Sequence, residues 1–305
     1  PKGHPNSRPP LKATMPEITS RDNRWLKRFR SALAGDGDGC IGVEGVRLVE
    51  AALGSSMPVE AVLLGESGEK HLAKLAGLLD GKSAVLRTSD RLFSGVADTQ
   101  TPQGIAALLR PPAWTVPDLL RGMPLIIFLV GVQDPGNVGT ILRAAEAFGA
   151  TGAVASSAGV LGTADPFSPK ALRASAGSAL RLPIVRDSEG TLLAQLRKSG
   201  VRLCATVPDA GGASVNRSES SMTPQNPPAA RPWEIDWKTP LALLIGNEGA
   251  GLPDDILHAS DFRVTIPQAT AKTRVGVESL NAAMAATALL YEAMRQRTES
   301  ERSRK

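Results

Sequence analysis

Short apolar runs alternate with helix-like stretches along two parts of the chain, and the two parts differ in rhythm. Between Asn23 and Arg110 the β-type runs IGVEG (41–45), VEAVLLG (59–65), AVLRTS (84–89) and GIAALLR (104–110) are separated by VRLVEAAL (46–53) and EKHLAKLAGLLD (69–80). Short β-rich runs bounded by Gly and Ser read as strands, and apolar residues three and four apart read as helices. A small α/β domain over 21–110 is therefore expected. PPAWTVPDLLRGMP then carries four prolines in fourteen residues. Proline cannot continue a helix or donate within a central strand, so 111–123 reads as a linker.

The second part opens with PLIIFLV, a continuous apolar run of the kind that a parallel strand covered on both faces requires. The alternation then repeats: GAVAS with SPKALRASAGSAL, RLPIV with SEGTLLAQLRKSG, RLCAT, LALLIG with PDDILHA, and FRVTIP with SLNAAMAATALLYEAM. This order predicts a parallel, doubly wound α/β sheet over 124–298, with ligands at the carboxyl ends of its strands. Residues 208–238 interrupt it with Pro, Ser, Asn and Gly and read as a flexible surface insertion, with Trp233, Ile235 and Trp237 spaced for a short returning strand. Residues 1–20 and 299–305 lack an apolar period and read as a disordered basic tail and a charged tail.

Charge adds little to this picture. A net charge of +5 suits a polyanionic partner without demanding one. Cys40 and Cys204 fall in different predicted domains without metal-ligand spacing, which argues against a disulfide or zinc framework and for two buried small apolar residues. No metal is expected. No apolar run approaches the ~18 residues of a membrane span, so a cytoplasmic protein without membrane contact is expected.

Candidate chemistry gathers at three strand-to-loop junctions. In FLVGVQDPGNVGTILRAAEAFGA, Asn137 stands where a helix N-cap is expected and Arg143 lies six residues on. In LALLIGNEGAGLP, an apolar strand runs into Gly246, Asn247, Glu248, Gly249 and Gly251, a loop that lets backbone approach a ligand closely but lacks the Lys and Ser/Thr of a phosphate-binding P-loop. In IPQATAKTRVGVESLNAAMAATALLYE, Ser279 and Asn281 open an alanine-rich helix. Each residue alone has a bland reading as a cap or a solvated side chain. A dinucleotide-dependent oxidoreductase would need GxGxxG after the first strand, which is absent.

Together and in this order, the three junctions resemble the three motifs of the SpoU (TrmH) family of RNA ribose methyltransferases. The stretches ITSRDNRWLKRFRSALAGDGDGCIGVEGVRLVEAAL and DRLFSGVADTQTPQGIAALL also resemble that family's ribosomal-protein-like RNA-binding domain. The resemblance implies a deep trefoil knot of the SPOUT type in the catalytic domain, a homodimer, and transfer of a methyl group from S-adenosylmethionine to a ribose 2′-hydroxyl in structured RNA, with large-subunit ribosomal RNA favoured over tRNA. A catalytically silent RNA-binding or assembly protein of the same fold is the competing reading. By the same resemblance Asn137, Arg143, Glu248, Ser279 and Asn281 are the catalytic set, while Thr206, Gly246, Ile266 and Leu280 form the cofactor pocket. The stretch QATAKTRVGVE, between Ile266 and Ser279, is longer than the family's usual loop and lacks its glycine in the usual place, which bears on the pocket around 268–276. Gln103 and Gly104, in TPQG, are candidates for RNA contact or simply for a turn before a strand.

The basic residues Lys2, Arg8, Lys12, Arg21 and Arg24 can neutralise phosphates and release counterions. Removing residues 1–20 is expected to weaken RNA binding most at low salt and to leave cofactor affinity alone. RNA affinity unchanged across a salt series would exclude this role.

Overall fold

The computed structural model describes residues 15–79, 81, 83–156, 162–187, 191–209, 229–269 and 279–303. The chain forms two compact units, 1–112 and 113–305.

The first unit contains β1 (Glu17–Ile18), α1 (Arg24–Ala34), β2 (Ile41–Glu44), α2 (Val46–Leu53), β3 (Val59–Leu64), α3 (Leu72–Leu75), β4 (Ala84–Thr88), α4 (Asp90–Ser94) and β5 (Ile105–Leu109). Its sheet has the order β1-β4-β3-β5-β2, with β4 parallel to β1 and β3, and β5 antiparallel to β3 and β2. The four strands read from sequence are present, whereas β1 and α1 add to the reading. Helix α1 starts where the Asn23 side chain accepts from Trp25 N at 2.8 Å and ends at Gly35 with φ 94°. Its Leu26, Phe29, Ala32 and Leu33 are buried with Leu63, Phe93 and Leu108. The helix expected over 69–80 is shortened to a 3-10 turn at Glu66–His71 followed by the single turn of α3. Gly68 lies so close to the Gly104 carbonyl that a Cβ would overlap it, which forces the tighter entry. Gln103 and Gly104 form a turn. Gly104 has φ 70°, and Gln103 Oε1 accepts from Val46 N at 2.9 Å, capping α2. Cys40, expected buried, is half-buried, and its Sγ accepts from Arg28 Nη2 at 3.4 Å.

The second unit contains α5 (Val116–Leu119), β6 (Leu125–Val130), α6 (Pro135–Ala147), β7 (Gly152–Ser156), α7 (Pro169–Ala174), β8 (Ile184–Asp187), α8 (Leu192–Lys198), β9 (Arg202–Thr206), β10 (Leu241–Ile245), α9 (Asp254–Ala259), β11 (Phe262–Val264) and α10 (Ala282–Arg302). All six strands lie where the apolar runs place them, and they form one parallel sheet in the order β11-β9-β10-β6-β7-β8. Every residue of β6 and β10 is buried, as double-sided cover demands. The linker reading gives way to one helical turn, α5. Thr115 and Asp118 cap it reciprocally, Pro117 occupies a first-turn position where its missing N–H costs nothing, and Leu119 is buried.

The insertion also proves partly structured. Residues 210–228 lie outside the described residues, but 229–238 are packed. Trp237 is fully buried and donates through Nε1 to Pro232 O at 2.8 Å, while Trp233 is exposed. The short strand expected there is instead a 3-10 turn at Pro232–Glu234, with one bridge from Ala230 to Val264. Arg297 of α10 fastens this segment. Its guanidinium donates to the carbonyls of Trp237 (2.8 Å), Met123 (2.8 Å), Pro124 (2.9 Å) and Thr239 (3.0 Å). These four oxygens precede β6 and β10, so one side chain joins α10 to the amino ends of the two central strands.

Arg297→Met would leave those carbonyls without their charged donor. A loss on the order of 3 kcal/mol is expected from the worth of hydrogen bonds to charged groups. Urea denaturation followed by tryptophan fluorescence reports it through Trp237, and an unshifted midpoint would show the staple to be idle.

Candidate functional site

Strands β6, β9, β10 and β11 all end at the same edge of the sheet, because parallel strands share a direction. The turns that leave them are held to one another by side chains. After β10, Asn247 exchanges backbone hydrogen bonds with Gly251 at 3.0 Å in both directions, and its Oδ1 accepts from Gly249 N and Ala250 N at 2.9 Å. Its Nδ2 donates to Gly131 O, past the end of β6, at 2.8 Å. The loop so closed lies against Gly246, where a Cβ would stand 2.6 Å from Leu252 N and overlap the Gly251 backbone. Only glycine fits there.

Glu248, next in the loop, reaches the start of α6. Its carboxylate accepts from Gln133 N (3.2 Å), Asp134 N (3.3 Å) and Asn137 Nδ2 (2.9 Å). Asn137 Oδ1 in turn accepts from Asn281 Nδ2 at 3.0 Å. Asn281 caps α10, its Oδ1 accepting from Ala283 N at 2.9 Å and Met284 N at 3.3 Å. A single chain of hydrogen bonds thus links the three junctions. Burial by itself would raise the Glu248 carboxyl, but the donors from Asn137 and from backbone N–H groups outweigh it and hold the group below the usual carboxylate range. Glu248 is therefore a fixed anion that orients Asn137.

The structure moves one cap. Asn137 was expected at the N-cap of α6, but Asp134 holds that place, accepting from Gly136 N at 2.8 Å with Pro135 following. Asp134 is also paired with Lys170 at 2.7 Å, and these two contacts hold its carboxyl below the ordinary range. Relieved of capping, the Asn137 side chain is available to Glu248 and Asn281.

Beside this network lies an open cleft. Thr206, Gly246, Glu248, Ile266, Ser279 and Leu280 all line it. The lining also includes residues that the sequence did not single out for the site: Asp209, Asn247 and Gln268 from the loops, and Ala282, Ala285 and Leu289 from α10. Thr206 spends its hydroxyl on Leu244 O at 2.8 Å, so it contributes a wall and no free donor. Asp209 Oδ2 accepts from Gln268 N at 2.9 Å, which pins the exit of β9 to the exit of β11. The alanine pattern of α10 was the available signal for its share, since small side chains let a helix approach a ligand. Most of the unusual 268–276 loop lies outside the described residues.

Arg143 is not brought to this network. It sits on α6 six residues beyond Asn137, about 240° around the helix and about 9 Å along it. The side chain is exposed and makes no hydrogen bond or ion pair among the described residues. Nearby, Phe148 meets Tyr291 of α10 edge-on at 5.9 Å.

A parallel sheet with a ligand-sized cleft at its strand ends, walled by a glycine-tight loop and closed by a polar network, defines an α/β domain that binds a small molecule where its parallel strands stop. The match to known families narrows this class. Residues 124–291 fit the model described as the SpoU rRNA Methylase family, and 27–107 fit the MRM3-like substrate binding domain. The chain belongs to the SpoU rRNA methylase family. An uncharacterized tRNA/rRNA methyltransferase of Synechocystis is 34% identical, over 94% of this chain and 96% of its own length. The 23S rRNA (guanosine(2553)-2′-O)-methyltransferase RlmP of Bacillus subtilis is 32% identical over 82% of this chain and 86% of its own. Among solved structures, the AdoMet-bound rRNA methyltransferase from Sinorhizobium meliloti superposes with a TM-score of 0.73 at 28% identity, covering 92% of this chain and 98% of that one.

Gly246→Ala should force the loop after β10 away from its closed position, because the obstacle is backbone and cannot rotate aside. Cofactor binding measured by calorimetry is expected to weaken on the order of tenfold or more, while the melting temperature changes little. Unaltered binding would show that the cleft does not depend on this approach.

Proposed function

We propose that the protein transfers a methyl group from S-adenosylmethionine to a ribose 2′-hydroxyl of structured RNA, with ribosomal RNA of the large subunit as the favoured substrate. The observation that carries this reading is the joining of Asn137, Glu248 and Asn281 into one network at the rim of a cleft lined by Thr206, Gly246, Ile266 and Leu280. The named activity of the Bacillus subtilis relative and the AdoMet of the Sinorhizobium meliloti structure support it. Cytoplasmic action is consistent with a ribosomal RNA substrate, and no helix among the described residues is long and apolar enough to cross a membrane.

The cleft suits such a cofactor. Ile245, Val264, Ile266 and Leu289 offer an apolar floor for a heterocycle, and the close packing of Gly246 on the Gly251–Leu252 backbone keeps the loop that walls the cleft in place. Bound there, S-adenosylmethionine supplies an electrophilic methyl on a sulfonium. The chain's own residues supply position. Glu248 fixes Asn137, and Asn137 and Asn281 hold each other, so amide groups stand ready at the cleft rim to orient a ribose. A guanidinium is protonated at any working pH, which suits Arg143 to holding phosphate and stabilising charge on the attacking oxygen better than to accepting a proton.

We further propose that the enzyme works as a homodimer and that Arg143 serves the partner's cleft. Met284 and Tyr291 are large exposed apolar residues on one stripe of α10, with exposed Ala288 between them. Arg143 is exposed on α6, which packs beside α10. A two-fold axis through this surface would cover the stripe and carry Arg143 across. The knotted path is part of the same reading: from β11 at the edge of the sheet, the chain returns to lay α10 against α6 near its middle. The first unit, by its family match, would present the RNA.

Arg143→Ala is expected to lower single-turnover methylation of saturating RNA about a hundredfold or more, the scale for losing one charge-stabilising donor, while cofactor binding persists. Arg143→Lys should fail too if planar two-point geometry matters. Mixing Arg143→Ala with Gly246→Ala protein should restore roughly a quarter of wild-type activity, because half the exchanged dimers carry one intact composite site. Near-normal turnover in Arg143→Ala would overturn the assignment, and no rescue on mixing would place Arg143 in its own subunit's site.

A further inference from the structure

The described lining of the cleft carries charge of one sign. It contains two carboxylates, Glu248 and Asp209, and no Lys, Arg or His. The two acids are not equivalent. Glu248 is covered by the N–H groups of Gln133 and Asp134 and by the Asn137 amide, at the positive end of the thirteen-residue helix α6. Asp209 lies beyond the exit of β9 and takes one backbone N–H, from Gln268 at 2.9 Å. Its second oxygen has no partner among the described residues. Val207 N donating to Val264 O at 2.9 Å fixes the backbone two residues before it. Among the described residues of the lining, the half-buried Asp209 is therefore the carboxylate with an oxygen left open.

The cofactor of the proposed reaction changes charge as it is used. S-adenosylmethionine carries a sulfonium, an ammonium and a carboxylate, for a net charge of +1. When the carbon–sulfur bond breaks and the methyl joins the ribose oxygen, the sulfur keeps the electron pair and becomes a neutral thioether, while the hydroxyl proton passes to water. The demethylated product has no net charge but otherwise the same shape. A pocket that recognised shape alone would hold both equally and stay blocked by product.

We propose that Asp209 is a specificity-determining residue, whose carboxylate favours the sulfonium-bearing cofactor over its neutral demethylated product. This rests on the methyltransferase reading. It is distinct from the role of Glu248, which acts through Asn137 and whose charge is held by its N–H donors. A carboxylate several ångströms from a cation in a partly desolvated cleft changes affinity by about tenfold, and acts far less on a neutral ligand.

Asp209→Asn tests this, because the amide oxygen can still accept from Gln268 N. Calorimetric titration of the full-length wild type and variant would use three ligands: S-adenosylmethionine, S-adenosylhomocysteine, and sinefungin, whose protonated amine replaces the sulfonium. Expected are losses of about tenfold for the first and third and less than about twofold for the neutral second, with an unchanged melting temperature. Equal loss for all three would place Asp209 on a group common to them, such as the amino-acid ammonium or the ribose, and overturn the proposal. No loss for any would overturn it as well. Wild-type protein that bound none of the three would refute the cofactor reading itself, an outcome separate from a wild type that binds and a variant whose preference is unmoved.

Discussion

The site depends on neighbouring parallel strands ending side by side. Strands β6 and β10 pair along their whole length, Leu241 with Leu125 through Ile245 with Leu129, and both are buried on both faces. Their polar turns must therefore emerge at one edge and satisfy each other. Asn247 after β10 donates to Gly131 after β6, and Glu248 gathers the backbone N–H groups of Gln133 and Asp134. Buried backbone at a strand end needs such partners whatever the protein does. The constraint that closes the fold is the same one that builds the rim of the cleft.

From this edge the polar network runs outward without a break. Glu248 holds Asn137, Asn137 holds Asn281, and Asn281 starts α10. Helix α10 then runs back along the domain to Arg297, which grips the carbonyls preceding β6 and β10. Both ends of the two central strands are thereby tied to one helix, by an amide at one end and a guanidinium at the other. Among the described residues the guanidinium has no carboxylate partner; burial lowers its proton affinity, and its N–H groups are taken up by four carbonyl oxygens. A helix fastened at both ends holds its cap, and with it Asn137, in register with the cleft.

Strands of the parallel sheet were legible in the sequence because full burial leaves a long apolar signature, and all six apolar runs became strands. Helix α1 was not, although Leu26, Phe29, Ala32 and Leu33 trace a helical stripe. Arg24, Lys27, Arg28 and Arg30 are interleaved with them, and a short basic segment following a Pro-rich tail looks like more tail. Trp237 shows the reverse case, where a polar, proline-rich neighbourhood masked a residue that is fully buried. Composition averages over a window, whereas burial is decided by single contacts. In the site, the motif residues stood out by type and order, but Asp209 could not, since its significance lies in facing a cleft assembled from residues up to 80 positions further along the chain.

The helical period also explains why the motif's arginine departs from its own network. Residues three or four apart share a helix face, and residues six apart do not. Asn137 faces Glu248 from the first turn of α6, so Arg143 has to face elsewhere, and it does so exposed, without a partner among the described residues. An arginine in direct contact with Asn137 on the same helix would sit three, four or seven residues along. A spacing of six on an unbroken helix is the spacing of two residues that serve different surfaces. In the homodimer proposed above, a second copy of the helix, turned by a two-fold axis, would present its outward face to the first copy's cleft. Under that proposal the separation along α6 lets Asn137 serve its own cleft while Arg143 serves the partner's.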